Sequence, residues 1–142
     1  MKQRKKCGFK VVIVTPSREI PFSDLIDFGT IIAKTAETSE KRVAFVASAD
    51  QAHTHRADGP YGFHHAAAEF DAIVRRAVQE NKLGHLFSLP EKLIEDAKPD
   101  SLWQIAVLHG VLEALSMEVR VISYQAPTYF GMLCAAYLRY FK

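Results

Sequence analysis

The sequence predicts an α/β fold, a three-layer sandwich with a mainly parallel sheet. Three observations carry that prediction. A β-branched run, Val11-Val12-Ile13-Val14, is followed by a helical pattern and then by a second apolar run, residues 42–48, in the order of a right-handed βαβ unit. Neither run alternates strictly with polar residues, as expected of strands covered on both faces. A third β-rich segment, residues 118–123, follows a helix that is apolar nearly all round, which fits a helical layer packed on a sheet.

Each element has its own signals. Pro16 ends the first strand, residues 8–15. Pro21-Phe22-Ser23-Asp24 opens a helix in which Ser23 or Asp24 can cap the free amides. Leu25, Phe28, Ile31 and Ile32 give that helix its apolar face, and it runs to about Ser39. Residues 50–63 contain Asp58-Gly59-Pro60-Tyr61-Gly62 and form a loop of roughly a dozen residues, long for a compact domain and placed at a strand end where α/β sheets bind ligands. An amphipathic helix follows, with Phe70, Ile73, Val74, Ala77 and Val78 on one face and Glu69, Asp71, Arg75 and Arg76 off it. Ser88 with Glu91, and Ser101 with Gln104, have capping-box spacing and start two further helices, the second spanning residues 102–117. Pro127 and Thr128 introduce a last helix over residues 129–140.

The chain has 142 residues, 49% hydrophobic and 24% charged, which fits one domain over residues 1–142 with residues 1–8 as a basic, flexible N-terminal segment. No apolar run approaches the roughly 20 residues of a membrane span, and the first one is too short for a signal peptide. Cys7 and Cys134 are far apart with no C-x-x-C spacing, so neither a disulfide framework nor a structural zinc is expected, and a cytoplasmic location is. The net charge of +2 rests on four cations in the first six residues; the rest is slightly acidic, which argues against nucleic acid as a partner. Three strands are few for a sheet that must bury both faces, and the two apolar helices near the C-terminus exceed what so small a domain covers, so an oligomer or companion chain is expected.

Four of the six histidines, His53, His55, His64 and His65, fall within thirteen positions, in or beside the loop. Imidazole is both the side chain that titrates nearest neutrality and the commonest metal ligand, although a solvated loop or helix N-terminus accommodates the same residues. His85 and His109 read as structural.

Ser48-Ala49-Asp50-Gln51-Ala52-His53-Thr54-His55, then Asp58-Gly59-Pro60-Tyr61-Gly62-Phe63-His64, then Ala68-Glu69-Phe70-Asp71 resembles the class III extradiol dioxygenases of LigB type, with their S-G-D-L-S-H, D-G-P-Y-G-[FY]-H and E-F-D elements. Lys41-Arg42-Val43-Ala44 and Pro127-Thr128-Tyr129-Phe130-Gly131 extend the likeness to roughly residues 10–140, the C-terminal half of such an enzyme. The resemblance implies aromatic ring opening: a non-haem Fe(II), held by two His and a carboxylate, and O₂ acting on a catechol-type substrate. It implies that His53 is the acid/base residue, that His55 is a neighbouring catalytic-loop residue, and that Tyr61, Phe63 and His64 contact substrate. It implies Asp100 as the metal carboxylate, a residue that equally suits a helix N-cap. Ala49, Gln51 and Ala52 replace Gly, Leu and Ser of the first element, and no H-x-P-type element precedes Val11. The metal histidines of the family belong to its N-terminal half. The resemblance therefore implies a separate N-terminal-half chain as partner, with a homo-oligomer or an inactive binding or relic module as the alternatives.

Overall fold

The computed structural model describes residues 8–139, in the order α1 (Phe22–Glu37), α2 (Ala66–Gln79), a 3₁₀ turn (Leu83–Ser88), α3 (Glu91–Ala97), α4 (Leu102–Ala114), β1 (Glu118–Gln125) and β2 (Met132–Leu138). Most of the basic N-terminal segment lies outside the described residues. The fold mixes helix and strand, and the one sheet among the described residues is the antiparallel pair β1–β2. No described helix is long and apolar enough to cross a membrane.

Small residues set the closest packing. Leu25 meets Ala106 and Val107, and Ala33 meets Val111 and Leu115, so residue numbers rise together along the seam and α1 and α4 run in the same direction. Between these clusters the backbones nearly touch. A Cβ on Gly29 would stand 2.0 Å from the Val107 carbonyl oxygen, and one on Gly110 would stand 1.8 Å from that of Ile26. The Thr30 hydroxyl donates to the Gly110 carbonyl across the crossing at 3.1 Å. The buried stripe of α1 is therefore Leu25, Gly29 and Ala33, while Phe28 and Ile31, expected to face inward, are exposed. Volume alone misplaced that face, because the crossing selects for small side chains.

The main core lies between α2 and the sheet. Phe70, Val74, Ala77 and Val78 of α2 pack with Leu83, Leu86, Leu102 and Ile105, and Val119, Val121, Leu133, Ala135 and Tyr137 cover them from one sheet face. Both strands alternate as a half-buried sheet requires. A bulge breaks the ladder between Val121 and Ser123, so that Val121 pairs with Ala135 and Ser123 with Cys134. The extra residue changes the phase. Val119 and Val121 face inward before it, Ile122 is exposed, and Tyr124 faces inward after it.

Several expectations are corrected. The helix expected over residues 129–140 is not formed by its described residues: Leu133, Ala135 and Tyr137 alternate on β2, and a waiting partner strand overrides the helical preference of Met, Leu and Ala. Residues 8–15 and 42–48 make no described strand pairing; Val12 is 87% exposed, Ile13 86% and Val46 79%. Helix α1, which would cover them in a βαβ unit, has its buried stripe on α4 instead. Neither capping box forms. The Ser88 hydroxyl donates to the His85 carbonyl, and Ser101 caps α4 by position only. The Ser23 hydroxyl donates to Asp24 while Pro21 holds the cap position of α1.

Gly110→Ala should cost about 3 kcal/mol or more, because the methyl group meets backbone that only helix separation can move. Thermal unfolding should show a midpoint lowered by roughly 10 °C. Gly84→Ala, whose Cβ would meet only the tip of the His109 side chain, is the control and should change little.

Candidate functional site

The site grows from residues 50–55, which follow the unpaired segment 42–48 and are laced to three other parts of the chain. The Gln51 amide donates to the Gly131 carbonyl (2.9 Å), the Gly131 amide to Ala52 (3.0 Å) and the His55 amide to Tyr129 (3.1 Å). The His53 amide donates to the Ala97 carbonyl at 2.8 Å, and the Thr54 hydroxyl to that of Asp96 at 2.9 Å. With the Asp50–Asp100 and His55–Phe63 bridges, these bonds make the long loop an ordered one.

Beneath it lies a buried carboxylate. Asp71 is 1% exposed on α2. Its Oδ1 accepts the Ala52 amide at 2.9 Å, and its Oδ2 accepts the Tyr124 hydroxyl at 2.6 Å and lies 2.7 Å from His55 Nε2. Charge-assisted bonds of this kind offset the cost of burying an ionised group. Burial, and then the neighbouring carboxylate, push the Tyr124 hydroxyl well above its ordinary range, so that it stays protonated and donates. The Arg75 guanidinium lies 4.9 Å from the centre of the Tyr124 ring. Asp71 was expected off the apolar face. Its place in the sequence carried a signal, since Ala67, Asp71, Val74 and Val78 share one stripe and a carboxylate interrupting such a stripe needs partners.

His53 stands above this network among aromatic rings. Tyr61 stacks on it at 5.8 Å and 18°, Phe130 meets it edge-on at 5.7 Å, and Tyr129 is tilted at 5.7 Å. Its Nε2 is 3.6 Å from Asp50 Oδ2. Tyr61 is held by the turn that Asp58-Gly59-Pro60 predicts, with the Gly59 amide on the Arg56 carbonyl and the Gly62 amide on that of Gly59. Arg56 grips Asp58 through two bonds of 2.8 and 2.6 Å, which lowers the Asp58 carboxyl from its usual range. Beside this turn a hollow of about 220 Å³ is lined by Arg56, Asp58, Gly59, Thr128 and Tyr129.

The structure thus brings His53, His55 and Tyr61 together and adds Asp50, Asp71, Tyr124, Tyr129 and Phe130. Phe63 pairs with His55 through backbone, and its side chain is 65% exposed. His64 turns toward α3: its Nε2 is 3.8 Å from Asp96, and its ring stacks on His65. Asp100 is bridged to Asp50 through backbone, while its carboxylate accepts a 2.9 Å bond from Arg18, whose guanidinium also lies over Trp103. Among the described residues no three His, Cys, Asp or Glu side chains converge on one point. With its one candidate carboxylate engaged by Arg18, this donor set does not fit a facial Fe(II) triad.

Over residues 2–135 the sequence matches the family model described as the catalytic LigB subunit of aromatic ring-opening dioxygenase. The chain belongs to the LigB family. This LigB chain is also 28% identical over 117 residues to the protein CA_C1420 of Clostridium acetobutylicum. The match takes in 82% of the chain and 25% of that relative, so the chain spans about a quarter of the relative's length.

Gly131→Ala should loosen the site selectively. A Cβ there would stand 1.9 Å from Asp71 Oδ2 and 3.2 Å from the Gln51 Cβ. Amide hydrogen exchange should speed at Ala52 and His55 while the α1–α4 amides keep their protection; unchanged exchange at Ala52 and His55 would count against this packing.

Proposed function

We propose that this LigB chain is the acid/base-bearing half of an extradiol-type dioxygenase acting on catechol-like rings, and that it works with a partner chain carrying the metal histidines. The observation that carries the reading is the setting of His53, an imidazole on an ordered loop among three aromatic rings in a LigB-family chain. Fe(II), held by the assembled enzyme, would supply the activation of O₂. The residues of this chain do the rest. Tyr61, Tyr129 and Phe130 offer flat and edge contacts to an aromatic ring, and the His53 imidazole takes a proton from a ring hydroxyl. His55 and Asp71 hold the loop, and Phe63 stands at the rim. An iron-free LigB-type binding module is the second reading, favoured by the engagement of Asp100 with Arg18.

Assembly is the other half of the proposal. The expected interface on the C-terminal helices gives way to a different surface, since α4 is buried within the chain and residues 132–138 form β2. Val11, Val12, Ile13 and Val14 are 53–87% exposed, and Val43, Val46 and Ile31 are exposed as well. In the proposed assembly these segments become strands of the parallel, three-layer sheet that the sequence predicts, with α1 as part of its cover.

Two measurements test this. Mixed with Fe(II), O₂ and a catechol panel, the isolated chain should give no yellow ring-opened product, and adding a LigB-type chain that carries the two histidines should start turnover that His53→Ala abolishes. Robust turnover by the isolated chain would sink the need for a partner. Light scattering should show a species larger than a monomer, reduced by Val12→Lys with Val46→Lys. A wild-type monomer at all concentrations would remove self-association.

A further inference from the structure

We propose that Asp71 fixes the neutral tautomer of His55, placing the proton on Nε2 and leaving Nδ1 as a proton-accepting nitrogen on the residue two positions along the chain from His53. Asp71 is then the positioning residue of the loop, acting on both sides of His53.

The argument starts from hydrogen-bond valence. An ionised carboxylate only accepts. The Ala52 amide can only donate, and it takes Oδ1 at 2.9 Å. Tyr124, kept protonated by burial and by the carboxylate itself, donates to Oδ2 at 2.6 Å. His55 Nε2 reaches the same oxygen at 2.7 Å, a distance that requires a proton between the two atoms. With the hydroxyl already directed at Oδ2, that proton belongs to the imidazole. A neutral ring carries one N–H, so Nδ1 is left with its lone pair. The same logic orients the histidine of a catalytic Asp–His pair: the buried acid sets the tautomer and balances the imidazolium that forms when the far nitrogen takes a proton.

The comparison with His53 sharpens the point. The nearest carboxylate oxygen to His53 Nε2 is 3.6 Å away and belongs to the half-exposed Asp50, which imposes no tautomer. His55 has the buried partner and the short bond, and its side chain is 14% exposed. Gly131 belongs to the same device, because any side chain there would occupy the place of Asp71 Oδ2. The role of His55 as a second acid/base group rests on the function proposed above; its tautomer does not.

The test is nitrogen-15 NMR of the full chain with the imidazole rings neutral and no metal or substrate present. In the wild type, His55 should show a protonated Nε2 and an unprotonated Nδ1. In Asp71→Asn the amide oxygen still serves Ala52, but an NH₂ group now faces His55. Nε2 must then accept, and the proton should move to Nδ1. Tyr124→Phe removes a different donor and should leave the wild-type tautomer in place, which keeps the proposal testable if Asp71→Asn fails to fold. A wild-type proton on Nδ1, protons on both nitrogens at every pH at which the chain is folded, or an unchanged tautomer in Asp71→Asn would each overturn it. Because the readout needs no turnover, its failure leaves the proposed function standing, and an inactive enzyme leaves the tautomer standing.

Discussion

The Asp71 carboxylate is the constraint on which the site depends. One ionised group inside the core must gather enough donors to replace its water, and the three donors it gathers come from two separate parts of the chain: the Ala52 amide and His55 from the loop, and Tyr124 from β1. Satisfying the charge therefore fixes the loop against both the α2 helix and the hairpin. The aromatic rings around His53 then follow, because Tyr129 and Phe130 immediately precede Gly131, whose backbone is bonded to the same loop. A charge that is costly to bury is thereby converted into positional precision.

The rest of the chain divides its apolar surface unevenly. The α1–α4 seam is tight enough to exclude side chains at its centre, and the α2 core is closed by the sheet. By contrast, the two most strand-like stretches of the sequence remain uncovered. Those stretches bracket α1, and the second leads directly into the loop that carries His53. The uncovered apolar surface is thus contiguous in sequence with the candidate site.

Much of this was legible in the sequence, and the misses have definite causes. Helices α1, α2, α3 and α4 and strand β1 lie close to where periodicity, Pro and Gly place them. The turn at residues 58–62 follows from its Gly and Pro content. Strand β2 was hidden because its alternation is short and its composition suits a helix; only the partner strand decides it. The inward face of α1 was misread because close helix crossing favours Gly29 and Ala33 over Phe28 and Ile31. At the site, the loop histidines and Tyr61 stood out by residue type. Asp71 passed for a surface acid, Tyr124 depends on a bulge that no local pattern announces, and the engagement of Asp100 by Arg18 joins positions 82 residues apart.

The bulge in β1 has a consequence for how such a chain can vary. β1 holds one residue more than β2 between Val121 and Ser123, and the bulge absorbs it, so that Tyr124 lies opposite Leu133 on the inner face and reaches Asp71. Substitutions along the outer face of β1 leave that count intact and are free to accumulate. Loss of Ile122 would restore a regular ladder and leave the tyrosine opposite Leu133 on the inner face, whereas a straight ladder with Ile122 retained would turn the tyrosine to solvent. The bulge is thus a buffer for strand length: with it, β1 carries an extra residue at no loss to the site, and a deletion there is the change of length that the strand tolerates.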